Sequence, residues 1–183
     1  MTRFEHAYVL NVVSDDHPGI VAAVTDVIDR LNGNVDSISQ TVLKGYFTLI
    51  MIISLPEPTE ADALAEEVRR LGGKQMGLQV VARAFVPTRR GTAASGLERF
   101  VVTAFGKDTP GVLLRFSRYL AGKDINIIDL YGNRASGDFV LVSQVEIPPR
   151  WDIGMLQAEL EEIGREMGFT VRLQHENIFV ATN

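Results

Sequence analysis

Apolar side chains along the chain change their spacing in a fixed order, and the order runs twice. Tyr8 to Val13 is a short run of β-branched and aliphatic residues that predicts a buried strand. After Pro18-Gly19, the positions Ile20, Val24, Val27, Ile28 and Leu31 follow one face of a helix, which Asn32-Gly33 ends in the manner of a left-handed cap. Two strands follow, divided by a turn at Lys44-Gly45. Leu64, Val68 and Leu71 mark a second helix, and Leu78 to Val86 a last strand.

The second pass repeats each step. Val112, Phe116, Tyr119 and Leu120 form a helical face, the turn falls at Ser136-Gly137, and a second helix carries Leu156, Leu160, Ile163 and Met167 before a strand from Phe169 to Leu173. One offset of 92 residues maps Asp16-His17-Pro18-Gly19-Ile20 onto Asp108-Thr109-Pro110-Gly111-Val112. The same offset carries Asn34 and Val35 onto Asn126 and Ile127, Gly45 onto Gly137, Pro56 onto Pro148, and Gly72 onto Gly164. A register kept that long is an internal repeat, which fixes the domain count. Its order, βαββαβ twice, predicts an α+β fold of two ferredoxin-like domains, each a four-stranded antiparallel sheet with two helices on one face. The boundaries expected are residues 1–84 and 97–183, joined by a polar linker over 85–96.

Composition narrows the function classes. With 46% hydrophobic and 22% charged residues the chain has enough apolar surface for packed cores. Its 23 acidic against 18 basic residues work against phosphate-dominated binding, so direct contact with nucleic acid is not expected. The absence of cysteine excludes disulfides, thiolate metal sites and cysteine nucleophiles. The first residues have no export-signal pattern, and the longest apolar run, Phe47 to Leu55, is far shorter than a membrane span needs. A cytoplasmic protein with no membrane association is expected.

Candidate chemistry concentrates at the first strand-to-helix corner of each copy. Proline suits the first position of a helix, and glycine beside it bares the backbone. Open amides and the helix dipole favour a carboxylate there, while Asp16 or Asp108 offers a counterion to an ammonium group. The corner can thus hold both poles of a zwitterion. The competing reading is that Asp-x-Pro-Gly only caps the helix. Asn34 and Asn126, entering the next strand, likewise read either as ligand contacts or as turn caps.

Asp-x-Pro-Gly-[Ile/Val], an amphipathic helix, and then Gly-x-Asn-[Ile/Val]-like chemistry resembles the ACT domain; the second copy has Asp124-Ile125-Asn126-Ile127, without the glycine. The tandem layout further resembles the glycine cleavage system transcriptional repressor family and related proteins with two such domains. The resemblance implies a regulatory protein that binds an amino acid, glycine or another small one, at an interface between two domains. The residues it implicates are Asp16, His17, Pro18, Gly19, Ile20, Asn34 and Val35, with Asp108, Thr109, Pro110, Gly111, Val112, Asn126 and Ile127. No cofactor and no catalytic or metal site is expected. Control of transcription would act through a protein partner such as a DNA-binding activator, because no helix-turn-helix stands apart from the repeats. Exposed sheet edges favour a homo-oligomer.

Two other classes compete with this reading, a ligand-free protein-interaction module and a small enzyme. The three histidines, His6, His17 and His175, are scattered and lie in no hydrolase or metalloprotease pattern. His6 and His175 read as strand-end residues, and His17 by itself as a loop residue. The strands Val9 to Val13 and Leu49 to Ile53 are aliphatic, unlike the stacking platform of an RNA-binding module. Trp151 is expected to staple its helix to the sheet, and Glu159, Glu161, Glu162 and Glu166 to form a solvated helix face.

Overall fold

The computed structural model describes residues 2–72, 76–87 and 96–177. Residues 88–95 of the expected linker lie outside them. The chain divides into two compact units, Met1–Thr88 and Arg89–Asn183.

Unit 1 runs β1 (His6–Asp15), α1 (Ile20–Arg30), β2 (Asn34–Leu43), β3 (Tyr46–Leu55), α2 (Ala61–Gly72) and β4 (Gln79–Ala84), and its strands pair antiparallel in the order β2-β3-β1-β4. Unit 2 runs β5 (Glu98–Lys107), α3 (Val112–Gly122), β6 (Asn126–Ala135), β7 (Asp138–Ile147), α4 (Ile153–Met167) and β8 (Phe169–His175), with the order β6-β7-β5-β8. Both are the βαββαβ arrangement that the repeat predicts.

Alternation along the strands decides which face is covered. Leu10 pairs with Met51 and Val12 with Leu49, so these four point to one face, where Ile20, Val24, Val27 and Ile28 of α1 and Leu64 and Val68 of α2 close over them. In unit 2, Val102 and Ala104 of β5 meet Phe116 and Leu120 of α3 and Leu156 and Leu160 of α4. Each fully buried aliphatic side chain of this kind contributes roughly 1.5–3 kcal/mol. The two hairpin turns have positive φ at both central residues, Lys44-Gly45 and Ser136-Gly137, which matches the twist of the strands they join.

The left-handed cap expected at Asn32-Gly33 is present, with Asn32 as its left-handed residue, matched by Asp124 after α3. Gly33 is required for space: a Cβ there would lie 2.5 Å from Leu55 Cδ2 and 3.0 Å from Ile28 Cγ2. Two local expectations shift. The Trp151 indole donates to the Lys123 carbonyl at 2.7 Å, so it ties the start of α4 to the end of α3 rather than to the sheet. The acidic face of α4 is not simply solvated, because Glu159 accepts from Tyr119 and pairs with Lys123, and Glu166 pairs with Arg115, both joining α4 to α3.

Candidate functional site at the strand-to-helix corner

The corner is pinned at one end by the hairpin turn of its own sheet. Asp16 donates its amide to the Gly45 carbonyl at 2.8 Å, and Asp108 does the same to Gly137 at 3.0 Å. Beyond that point the chain must reverse into the helix, and it does so through Gly19 (φ 99°) and Gly111 (φ 87°). A side chain is strained in that region, which explains glycine at both positions. The prolines therefore do not occupy the first helical position, as expected from sequence. Gly19 and Gly111 are the N-caps, Ile20 and Val112 begin the helices, and Pro18 and Pro110 stand one residue outside.

This geometry removes the capping reading of the aspartates. Neither α1 nor α3 has a side-chain cap, whereas α4 has one, with Asp152 accepting from the Met155 amide at 2.7 Å. Ala23 makes the first α1 bond, to Gly19, so the amides of residues 20–22 precede the ladder. They present donors and the positive end of the dipole, and among the described residues no carboxylate meets them. The side chains of Ile20 and Val112 are buried in the cores, so a ligand could reach these two only through backbone.

The two corners differ in charge. The Asp108 carboxylate is held by Arg134 of β6, Nε to Oδ2 3.0 Å. The equivalent position in unit 1 is Val42, and among the described residues the exposed Asp16 carboxylate has no ion-pair or hydrogen-bond partner. Asp15 is replaced by Lys107 and His17 by Thr109, whose hydroxyl donates back to the Lys107 carbonyl. Arg134 was not anticipated; its signal was a cation where unit 1 has an apolar residue.

At the start of β2, Asn34 Nδ2 donates to Asp36 Oδ1 at 2.8 Å, and Asp36 is the extra residue of a bulge between Val35 and Ser37. Burial works to raise the Asp36 carboxyl, but hydrogen bonds from Ser54, the Arg3 amide and Asn34 outweigh it and hold the group below the ordinary carboxylate range. Unit 2 keeps the bulge, between Ile127 and Asp129, but has Ile128 in place of the acid. Asn126 Nδ2 is consequently buried without a partner among the described residues. Asn34 and Val35 line an open cleft of 430 Å³ with Ala22, Asp26 and Asp29 of α1. His17 lines a different hollow, so the residues implicated in unit 1 fall on separate concavities rather than around one.

The sequence profile described as ACT domain matches residues 6–83 and 98–174. The chain belongs to the ACT domain family. Single-unit relatives agree: the UPF0237 protein MK1213 of Methanopyrus kandleri is 33% identical over 75 residues, 41% of this chain and 83% of that protein. The UPF0237 protein lmo0533 of Listeria monocytogenes is 41% identical over 73 residues, 39% of this chain and 79% of that protein. Among solved structures, an unknown protein from Galdieria sulphuraria superposes with TM-score 0.73 at 21% identity, covering 93% of this chain and 98% of that one. A protein provisionally assigned as a glycine cleavage system transcriptional repressor gives TM-score 0.66 at 19% identity over the same shares. These two establish the shared tandem ACT fold. ACT domains are ligand-binding regulatory domains, and both ACT units here carry the corner just described. No helix among the described residues is long and apolar enough to cross a membrane.

Proposed function

We propose that the chain is a regulatory sensor of a small free amino acid, glycine being the first candidate, and that unit 1 provides the working site. The observation that carries this is the uncapped start of α1 beside an aspartate with no partner among the described residues. The amides of residues 20–22 would take the ligand carboxylate, and Asp16 its ammonium group. Pro18 and Gly19 shape the surroundings, while Asn34 and Val35, at the far end of α1, line a separate cleft. In unit 2 the corresponding set, Asp108, Thr109, Pro110, Gly111, Asn126 and Ile127, has its carboxylate occupied by Arg134 and serves a supporting role.

Binding regulates only if the ligand favours one state of the protein over another; a preference of about 1.4 kcal/mol shifts the balance tenfold. The output passes to a protein partner, and the fold shared with the provisionally assigned repressor suggests a transcriptional activator as that partner. The exposed edge strand β2 offers a surface for homo-oligomer formation. Isothermal calorimetry with a panel of amino acids is the test. Binding of at least one in the millimolar range or tighter is expected, and no heat from any of them removes the sensor reading. Disruption of the gene should alter glycine-dependent expression of glycine cleavage genes; unchanged expression overturns the transcriptional part alone.

A further inference from the structure

Behind the corner of unit 1 lies a hollow of 270 Å³ whose walls include Asp15, His17, Tyr46, Met76, Gly77 and Gln79. His17 fixes its chemistry. The ring Nδ1 lies 3.2 Å from the Pro18 carbonyl, which can only accept, so Nδ1 carries the hydrogen. Whenever the ring is neutral, Nε2 has a bare lone pair, and that atom is buried without a partner among the described residues. A buried acceptor left unmatched is unfavourable, and a donor supplied from outside would relieve it. Asp15 adds a second acceptor, now charged, and Tyr46 and Met76 add apolar wall.

We propose that this hollow binds the ammonium group of a small aliphatic amine, with His17 Nε2 and the Asp15 carboxylate receiving its hydrogens and Met76 and Tyr46 covering its short chain. A ligand carrying a carboxylate is disfavoured by Asp15 and by the lone pair, which separates this site from the amino-acid site proposed above. The second unit shows that the fold does not need these residues. There Lys107, Thr109 and Asp138 stand in place of Asp15, His17 and Tyr46, with Met167 at the place of Met76, yet the corner closes on the hairpin turn through the same amide bond.

The test is NMR of the full chain, following the His17 ring nitrogens and the Met76 methyl group during titration with n-propylammonium chloride and, separately, sodium propionate. Saturable shifts with n-propylammonium alone are expected, and Asp15→Asn and His17→Phe should each weaken binding at least tenfold. Unsaturable shifts, equal shifts with propionate, or unchanged affinity in folded Asp15→Asn overturn the proposal. Calorimetry with glycine on Asp15→Asn keeps the two readings apart, since loss of the amine site leaves glycine binding intact.

Discussion

Arg134 closes the corner of unit 2 by placing Nε 3.0 Å from the Asp108 carboxylate, and Val42 leaves the matching corner of unit 1 open. The pair is largely solvated, with side-chain exposures of 68% and 33%, so its contribution to stability is at most about 1 kcal/mol. Arg134→Val should therefore barely move the thermal midpoint. It should also free Asp108 and raise the amino-acid stoichiometry measured by calorimetry from one per chain to two. A stoichiometry that stays at one in the folded variant would show that Arg134 is not what silences unit 2.

The same asymmetry sets the order of effects for the two aspartates. Asp16→Asn keeps size and removes the charge facing the ligand ammonium, and affinity should fall at least tenfold, about 1.4 kcal/mol. Asp108→Asn, whose charge is already met within the chain, should leave affinity within twofold. Equal losses in both variants, or none in Asp16→Asn, would refute the assignment of unit 1.

How much of this was legible beforehand differs between fold and site. Strand alternation and helical spacing at Leu10, Val12, Val24 and Ile28 are local patterns, and the repeat made each one count twice. The glycine-containing turns were readable for the same reason. The corner was found, but its details were not. Pro18 fits a helix start equally well one residue inside or outside it, and only the positive φ of Gly19 decides. Arg134 meets Asp108 because β6 runs beside the corner after hairpin pairing, a contact spanning 26 residues that no local pattern encodes. The bond from Asn34 to Asp36 depends on a bulge, which breaks the two-residue period that strand reading relies on. Its one sequence trace was the loss of the acid at Ile128.

The link between α3 and α4 predicts a stability profile with two limbs. Hydrogen bonds from Lys123 and Tyr119 hold the Glu159 carboxyl below its ordinary range. Its folded pKa lies below the unfolded one, so its contribution is present above about pH 4.5 and is lost as pH falls through the depressed value. Tyr119 is shifted the other way, upward, by burial first and then by Glu159. Its contribution is complete below about pH 10 and is lost as pH rises beyond that. Thermal midpoints of Glu159→Gln should fall less steeply than wild type below pH 4.5, and those of Tyr119→Phe less steeply above pH 10. Profiles parallel to wild type on both limbs would mean that this link does not set them.

The single tryptophan, Trp151, lies in unit 2, so its fluorescence reports that unit while circular dichroism reports both. Gly33 and Ile125 occupy equivalent places after the first helix of each unit, and they fail in opposite ways. At Gly33 an added methyl would meet Leu55, Ile28 Cγ2 and, at 3.1 Å, the Ile28 carbonyl oxygen, whose helix cannot withdraw freely. Gly33→Ala should cost about 1–3 kcal/mol by overpacking. Ile125 is 5% exposed within the unit 2 core, and Ile125→Ala should cost about 2–5 kcal/mol by leaving a cavity. In urea, Gly33→Ala should lower the midpoint of the dichroism change that belongs to unit 1 and leave the Trp151 midpoint in place. Ile125→Ala should lower the Trp151 midpoint. If Gly33→Ala also moved the Trp151 transition by a similar amount, the two units would be unfolding as one, and the assignment of the effect to unit 1 would be wrong.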